Sequence, residues 1–429
     1  MPIKISMITK LYSLLPLFES ITPVLFLLGF VFSFATCGFL FLKFVDQGNS
    51  KALKRIFSIP ARKSTTNAIQ LGGLPLSLAM MSGLTLCLVI PGITSYFSFV
   101  DQTLIKYWLV SSTIVVLYGH LDDKYELRPI VKVMMQVVSV CLFTLLASQS
   151  IFPRWSSLAF VVLSFWGMGV LNGSNLLDGL DTLTIKLGSV TMSSYLFIGL
   201  YYQLPDVMVT SSIALSALVA FYYFNKEPAQ IHLGEIGGSF VGFVALLNSC
   251  LLFKGLTQGS AAFSTVNIFS LSIIPLSLPM IELSISFSRR LYNRKSPFSG
   301  DKYHLHHILR NYHDLTPSNA SSVFAAGHLL CLSLGFGTLV WSDHPFAAVI
   351  GFFVTNIGLV SSYLAIGAKH WQGQNVIKLR PAALFDYLRK KDVAVISSQE
   401  CDEFKLEILT DSEPHEFYGL DEDDDDIAA

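Results

Sequence analysis

The sequence predicts an all-α, polytopic integral membrane protein of about 11 transmembrane helices, with its active site on the cytoplasmic face. Three observations lead there. First, 52% of the 429 residues are hydrophobic and only 14% are charged, against about 25% charged in an average soluble domain; mean hydropathy is +0.55. Second, charge-free runs of bilayer-crossing length recur along the chain. Third, lysine and arginine are shared very unequally between the two sets of connecting segments.

The candidate spans fall at roughly 20–42, 73–96, 105–121, 133–152, 156–174, 187–204, 207–224, 237–253, 264–286, 319–341 and 345–368. Runs this long and continuously apolar are not the alternating strands of a membrane barrel. Lys4 and Lys10 precede the first run, as in a cleaved leader. The apolar stretch continues to Leu42 without a small-residue cleavage pattern, so it reads as a first span. The six cysteines show no C-x-x-C spacing and read as small buried hydrophobes, apart from Cys401 in the polar tail.

Eleven spans sort the connections onto two sides. One side holds 43–72, 122–132, 175–186, 225–236, 287–318 and the segment from 369. Of 29 lysines and arginines, all but Lys4, Lys10, Lys106, Arg154 and Lys254 lie there. The positive-inside rule makes that side cytoplasmic. Residues 1–368 form the expected transmembrane domain. Residues 369–429 form a cytoplasmic tail ending in "DEDDDD" (421–426), a like-charge run expected to be disordered. No repeat of fixed period supports an inverted-repeat transporter.

The reactive residue types collect on the same side, in four stretches. In "GHLDDKYELRPIVKVMMQ" (119–136), Asp122 and Asp123 repel one another, a conflict that a divalent ion or Lys132 resolves. The alternative is an ordinary charged helix end. In "LNGSNLLDGLDTLTIK" (171–186), Asn172, Asn175, Asp178 and Asp181 recur every three residues. On a helix they share a face, an oxygen ladder suited to a hard cation such as Mg²⁺. The alternative is a set of caps and a turn.

The third stretch, "FNKEPAQIHLGEIGG" (224–238), is a shaped loop carrying His232 and Glu235. Glu235 is a candidate metal ligand, and the helix opening after it offers free N–H groups to phosphate. A carboxylate placed merely for the helix dipole is the alternative. The fourth, "RRLYNRKSPFSGDKYHLHHILR" (289–310), sets Arg289 and Arg290 beside His304, His306 and His307. Phosphate or sugar recognition suits that mixture; a zinc site is the alternative. Glu282 lies just inside a span, where an acid is a functional candidate, with an arginine one or two turns on as its expected partner.

At these stretches the chain resembles the polyprenyl-phosphate N-acetylhexosamine-1-phosphate transferases. These include bacterial UDP-GlcNAc:undecaprenyl-phosphate transferases and phospho-N-acetylmuramoyl-pentapeptide transferase. The resemblance covers roughly residues 20–368 and keeps the motif order. It implies a membrane enzyme of the inner membrane that passes a sugar-1-phosphate from a UDP-HexNAc to undecaprenyl or another polyprenyl phosphate. UMP is released, and an envelope polysaccharide such as O-antigen is initiated. It implies Mg²⁺, with Mn²⁺ as the alternative ion, a homodimer, and no nucleic-acid partner.

Residue by residue, the resemblance implies Asp122, Asp123, Asp178 and Lys132 as catalytic groups. It implies Glu235, Asn175 and Asp178 at the metal. Asn225 would contact uracil with His232 stacked on it. The histidine loop looks like that of the GlcNAc-type branch. Three departures stand out. The family's metal-binding aspartate is Glu235 here, its carboxylate moved by over about 1 Å. Thr182 replaces a motif glycine, and "PARKSTTNAIQLGG" (60–73) has no histidine before its glycine pair. A covalent aspartyl route stays open beside direct displacement. The rival readings are an impaired homologue that binds lipid or partners, and a transporter.

Overall fold

Within a bilayer, backbone N–H and C=O groups must be satisfied inside the segment, which makes helix the form for long apolar runs. The computed structural model of the protein describes residues 31, 34–36, 38, 72–89, 102–259, 264–292, 294, 296, 303–312, 315–341 and 346–372. Among them there is no strand, and Ile231 alone makes an isolated bridge. The helices are α1 (Gly73–Val89), α2 (Gln102–Tyr125), α3 (Pro129–Ile151), α4 (Ser156–Leu176), α5 (Leu183–Tyr202) and α6 (Pro205–Asn225). They continue with α7 (Gly234–Gly259), α8 (Thr265–Ile273), α9 (Ser277–Tyr292), α10 (Leu305–Tyr312), α11 (Pro317–Trp341) and α12 (Ala347–Gln372).

Among the described residues, nine helical segments are long and apolar enough to cross a membrane, with α8 and α9 counted as one through a 3-10 turn at Ile274–Leu276; α1 is apolar but shorter. The fold is therefore an all-α polytopic membrane protein. The span expected at 20–42 lies almost wholly outside the described residues, as does the tail beyond 372.

Several boundaries differ from the charge-based reading. α2 runs to Tyr125, so Asp122 and Asp123 sit on its last turn rather than in a loop. α7 begins at Gly234, which puts Glu235 in its first turn. Local chemistry sets these ends. Proline occupies the first helical position of α3, α6 and α11, where its missing N–H costs nothing. Gln203 closes α5 in a left-handed conformation, φ 56°.

α7 is the axis of the bundle. Its whole apolar window is buried, against 22% for α12 and 28% for the α4 segment. It packs on α1, α2, α4, α5, α6 and α8. Trp108 of α2 lies on the ring of Phe243 at 5.7 Å and donates its indole N–H to the Phe243 carbonyl at 2.9 Å. Thr210 of α6 donates to Asn248 Oδ1 at 2.7 Å, and Tyr195 of α5 to the Ser272 carbonyl at 3.0 Å. Such interhelical bonds contribute about 0.6 kcal/mol each in membrane proteins, so packing carries more of the cohesion. The outer helices turn apolar side chains outward, Phe165 78% and Ile130 64% exposed, as a lipid-facing surface requires.

This arrangement brings three connections to one end of the bundle. The α2–α3 turn, the α4–α5 loop and the α6–α7 loop all meet around the N-terminus of α7. Backbone bonds from Gly72 N–H to the His232 carbonyl and Gly73 N–H to the Leu233 carbonyl, both 2.8 Å, tie the start of α1 to the same place.

Candidate active site

The site begins with Gly234. Its φ is +68°, and a Cβ there would lie 2.8 and 2.9 Å from the two carboxylate oxygens of Asp123. Glycine thus permits both the left-handed turn and the docking of α2 against α7. Asp123 Oδ1 accepts the Glu235 N–H at 2.9 Å and serves as a cap borrowed from another helix. Among the described residues its buried Oδ2 has no hydrogen-bond partner.

The neighbouring Asp122 turns the other way. Its Oδ1 accepts the Leu127 N–H at 3.0 Å, and its Oδ2 faces Lys132 Nζ at 3.5 Å. Lys132 pairs more closely still with Glu235. Glu235 Oε2 also accepts from Asn175 Nδ2 at 2.9 Å. The lysine thereby relieves the repulsion that three converging carboxylates would create.

Beside them opens a cavity of about 210 Å³, walled by Asp123, Asn175, Asp178, Asp181, His232 and Glu235. Asp178 accepts from the Thr184 hydroxyl at 2.9 Å. It is half-buried on the cavity wall. Burial pushes its pKa up to about 7; the Thr184 bond opposes the rise, and the charges of Glu235 and Asp181 add to it. Asp181 lies 3.5 Å from His232 Nδ1 and accepts the Ala229 N–H at 3.2 Å.

Not every expected ligand is equally free. Asn225 borders the cavity but is 4% exposed. Its Oδ1 accepts the Thr182 N–H and its Nδ2 donates to the Ile231 carbonyl, both at 2.7 Å. It clamps the α4–α5 and α6–α7 loops together. Asn172 lies one turn below Asn175, bonded to Gln136 at 3.2 Å and to the Met168 carbonyl at 2.8 Å. The ladder expected on one helix face is interrupted, because α4 ends at Leu176 and Asp178 and Asp181 sit on the following turn.

The basic-histidine stretch approaches from the opposite side. Arg289 and Arg290 are buried on α9 and do not border the cavity; Arg289 donates to the Tyr303 carbonyl at 2.7 Å. His304, His306 and His307 cluster: the rings of His304 and His306 stack with centroids 5.5 Å apart, and His307 lies tilted against His306 at 4.2 Å. His306 is fully buried and lies against Gly179, where a Cβ would collide with its Nε2. Burial, then the charges of His307 and His304, press its pKa well below the usual histidine range. It is neutral at pH 7 rather than the imidazolium that phosphate recognition favours. Glu282 takes His304 as its partner, at 2.6 Å, in place of the expected arginine.

Sequence reasoning missed Thr184, Gly234 and Tyr363. Gly234 carried a signal, as the glycine immediately before a helix-opening acid. Thr184 lies six residues from Asp178 but is an ordinary threonine early in a span, and Tyr363 reaches Glu282 across 81 residues; neither carried a signal. Thr182 proves informative. It is 1% exposed with φ 64°, a left-handed backbone that β-branched residues seldom adopt. Its N–H bond to Asn225 and its hydroxyl bond to Ser321 at 2.9 Å hold it there.

A hard divalent cation suits this donor set. Asp123, Asp178, Glu235 and Asn175 line one cavity, and among the described residues the buried Oδ2 of Asp123 has no hydrogen-bond donor. Among the described residues no three acids, histidines or cysteines already converge as an all-protein cage. Mg²⁺ does not need one, since it binds through one or two carboxylates together with substrate phosphates and water.

Fold and site together define a polytopic membrane protein with a carboxylate-lysine site at one end of its bundle. The sequence model of glycosyl transferase family 4 matches residues 105–252, the stretch that builds most of that site. The chain is 28% identical over 212 residues to a probable undecaprenyl-phosphate N-acetylglucosaminyl 1-phosphate transferase of Bacillus subtilis (strain 168), covering 47% of this chain and 56% of the relative. It is 25% identical over 263 residues to the decaprenyl-phosphate N-acetylglucosaminephosphotransferase of Mycobacterium leprae (strain TN), covering 56% and 66%. A shorter match, 34% over 88 residues, joins it to the phospho-N-acetylmuramoyl-pentapeptide-transferase of Enterococcus hirae, covering 20% and 27%. The chain thus spans between about half and two thirds of the first two relatives' length. These matches bear out the resemblance drawn from the four motifs.

Proposed function

We propose that the chain transfers an N-acetylhexosamine-1-phosphate from UDP-GlcNAc, or a related UDP-HexNAc, to undecaprenyl or another polyprenyl phosphate. The observation that carries this reading is the cavity in which Asp123, Asp178, Asp181 and Glu235 meet at the end of an apolar bundle, with Lys132 beside them. A phosphate-bearing soluble donor and a lipid acceptor can meet only at such a boundary. The names of the bacterial relatives support the donor and carrier classes. The lysine and arginine asymmetry supports a cytoplasmic site in an inner membrane.

In this reading Glu235, Asn175 and Asp178 would hold Mg²⁺, or Mn²⁺ in its place, which supplies positive charge to the donor pyrophosphate. The polyprenyl-phosphate oxygen attacks the β-phosphorus, and the bond to UMP breaks with its electron pair leaving on UMP. Lys132, already bridging Asp122 and Glu235, turns to the phosphate oxygens as charge builds on them. Asp123 and Asp122 keep the acceptor phosphate deprotonated and aligned. His232, at the mouth of the cavity, faces the base. Positioning and electrostatics dominate phosphoryl transfer, so fixed charges suffice.

UMP release from UDP-GlcNAc in undecaprenyl-phosphate micelles with Mg²⁺ tests the reading. Asp123→Ala and Glu235→Ala should each lower the rate by about 100-fold or more. Near-full rates in both variants would overturn the assigned roles. The pairing of Lys132 with Glu235 favours one second reading, a homologue that binds without turnover. Wild-type binding of UDP-GlcNAc with no UMP formed would select it.

A further inference from the structure

The histidine loop is anchored by groups outside the cavity. Glu282 of α9 is 1% exposed. Its Oε1 meets His304 Nδ1 at 2.6 Å, with Ser286 Oγ 3.4 Å away. Its Oε2 is in close contact with the Tyr363 hydroxyl of α12, itself 2% exposed. A carboxylate accepts, so the tyrosine O–H and the Nδ1–H both donate to it. That sets the His304 tautomer with the proton on Nδ1 and fixes the plane of the ring.

The fixed ring then sets its neighbours. His304 and His306 stack with their planes 6° apart. His306 presses on Gly179, which lies between Asp178 and Asp181 on the cavity wall. An unbroken chain of contacts therefore runs from Tyr363 and Glu282 through two imidazoles to the loop bearing two of the site's carboxylates.

We propose that Glu282 and Tyr363 are positioning residues: they hold His304, and through it His306, against the Gly179 turn and so set the shape of the acidic cavity. Neither residue touches the cavity itself. This explains why a carboxylate is kept inside a span, where an unpaired acid is costly. It also explains why residue 179 has no side chain. For turnover the inference rests on the transferase reading above; for the placement of the loop it does not.

The test uses the full chain in detergent micelles with two readouts. Carbethoxylation by diethyl pyrocarbonate, mapped by mass spectrometry, reports which histidines are accessible. In the wild type His307 should react, while His304, His306 and His328 stay protected; His328 is buried within α11 and reports an intact bundle. In Glu282→Gln, His304 and His306 should become reactive while His328 remains protected. Tyr363→Phe should do the same to a lesser degree, and it carries the test if Glu282→Gln also exposes His328.

With UDP-GlcNAc and undecaprenyl phosphate, the donor KM should rise about tenfold or more while the lipid KM holds. Glu282→Asp, which keeps the carboxylate, should recover part of the loss. Unchanged protection of His304 and His306 in both Glu282→Gln and Tyr363→Phe would overturn the proposal. Wild-type inactivity would remove the transferase reading but leave the labelling result to decide this one.

Discussion

The two sides of the site treat charge in opposite ways. On the α2–α7 side, Asp123, Asp178, Asp181 and Glu235 line one cavity beside Lys132, and among the described residues one Asp123 oxygen has no donor. On the α9–α12 side, Glu282 is buried and bonded to His304, Ser286 and Tyr363. Among the described residues the first side holds more carboxylates than cations, which suits a cationic ligand. On the second side both oxygens of the carboxylate have protein partners. A carboxylate's identity therefore says little; whether its partners are all protein groups separates a binding face from a scaffold.

The largest effect should come from breaking the open side. Gly234→Ala forces a Cβ toward the Asp123 carboxylate and strains a left-handed backbone. The strain alone costs about 1–2 kcal/mol. Displacing Asp123 should reduce UMP release about 10–100-fold, while histidine protection on the other side stays as in the wild type. Loss of that protection too would show that the two sides are one rigid unit.

A pH series sharpens the contrast, because the two sides carry opposite signs. Asp178 has a folded pKa raised to about 7 from 3.8. Between those values the folded state holds more protons than the unfolded, so this group stabilises the fold increasingly as pH drops through 7. His306 has a folded pKa depressed from 6.5. Below 6.5 the unfolded state holds more protons, so its contribution is lost as pH falls. Melting curves from pH 7.5 to 5.5 in EDTA should show Asp178→Asn destabilised more steeply by acid than the wild type, and His306→Gln less steeply. Each group is limited to about 1.4 kcal/mol per pH unit. Identical slopes for all three proteins would remove the contrast.

The smallest effect lies on the turn between the sides. Thr182→Gly relieves a left-handed β-branched residue, a gain of about 1–2 kcal/mol, and loses the Ser321 hydroxyl bond, a cost of about 1 kcal/mol. Calorimetry should find the two proteins within about 1 kcal/mol of one another. A markedly less stable glycine variant would mean the hydroxyl bond outweighs the strain.

What the sequence determined by itself was the class of structure and the residue types in play. Long runs that are apolar throughout and do not alternate form helices in lipid, because each such segment must satisfy its own backbone groups. Carboxylates, histidines and a lysine on one side of those runs identified where the chemistry lies, since charges are too costly to be placed idly near a bilayer. Only the tertiary structure decided how they pair. Asp122 and Asp123 are adjacent and alike in sequence, yet one caps a turn beside Lys132 and the other faces the cavity. Glu282 found His304 rather than an arginine, and Tyr363, 81 residues away, completed its shell. His306 came to rest on Gly179. Helix formation is a local property with a local period, whereas these contacts join segments whose meeting depends on how whole helices pack around α7.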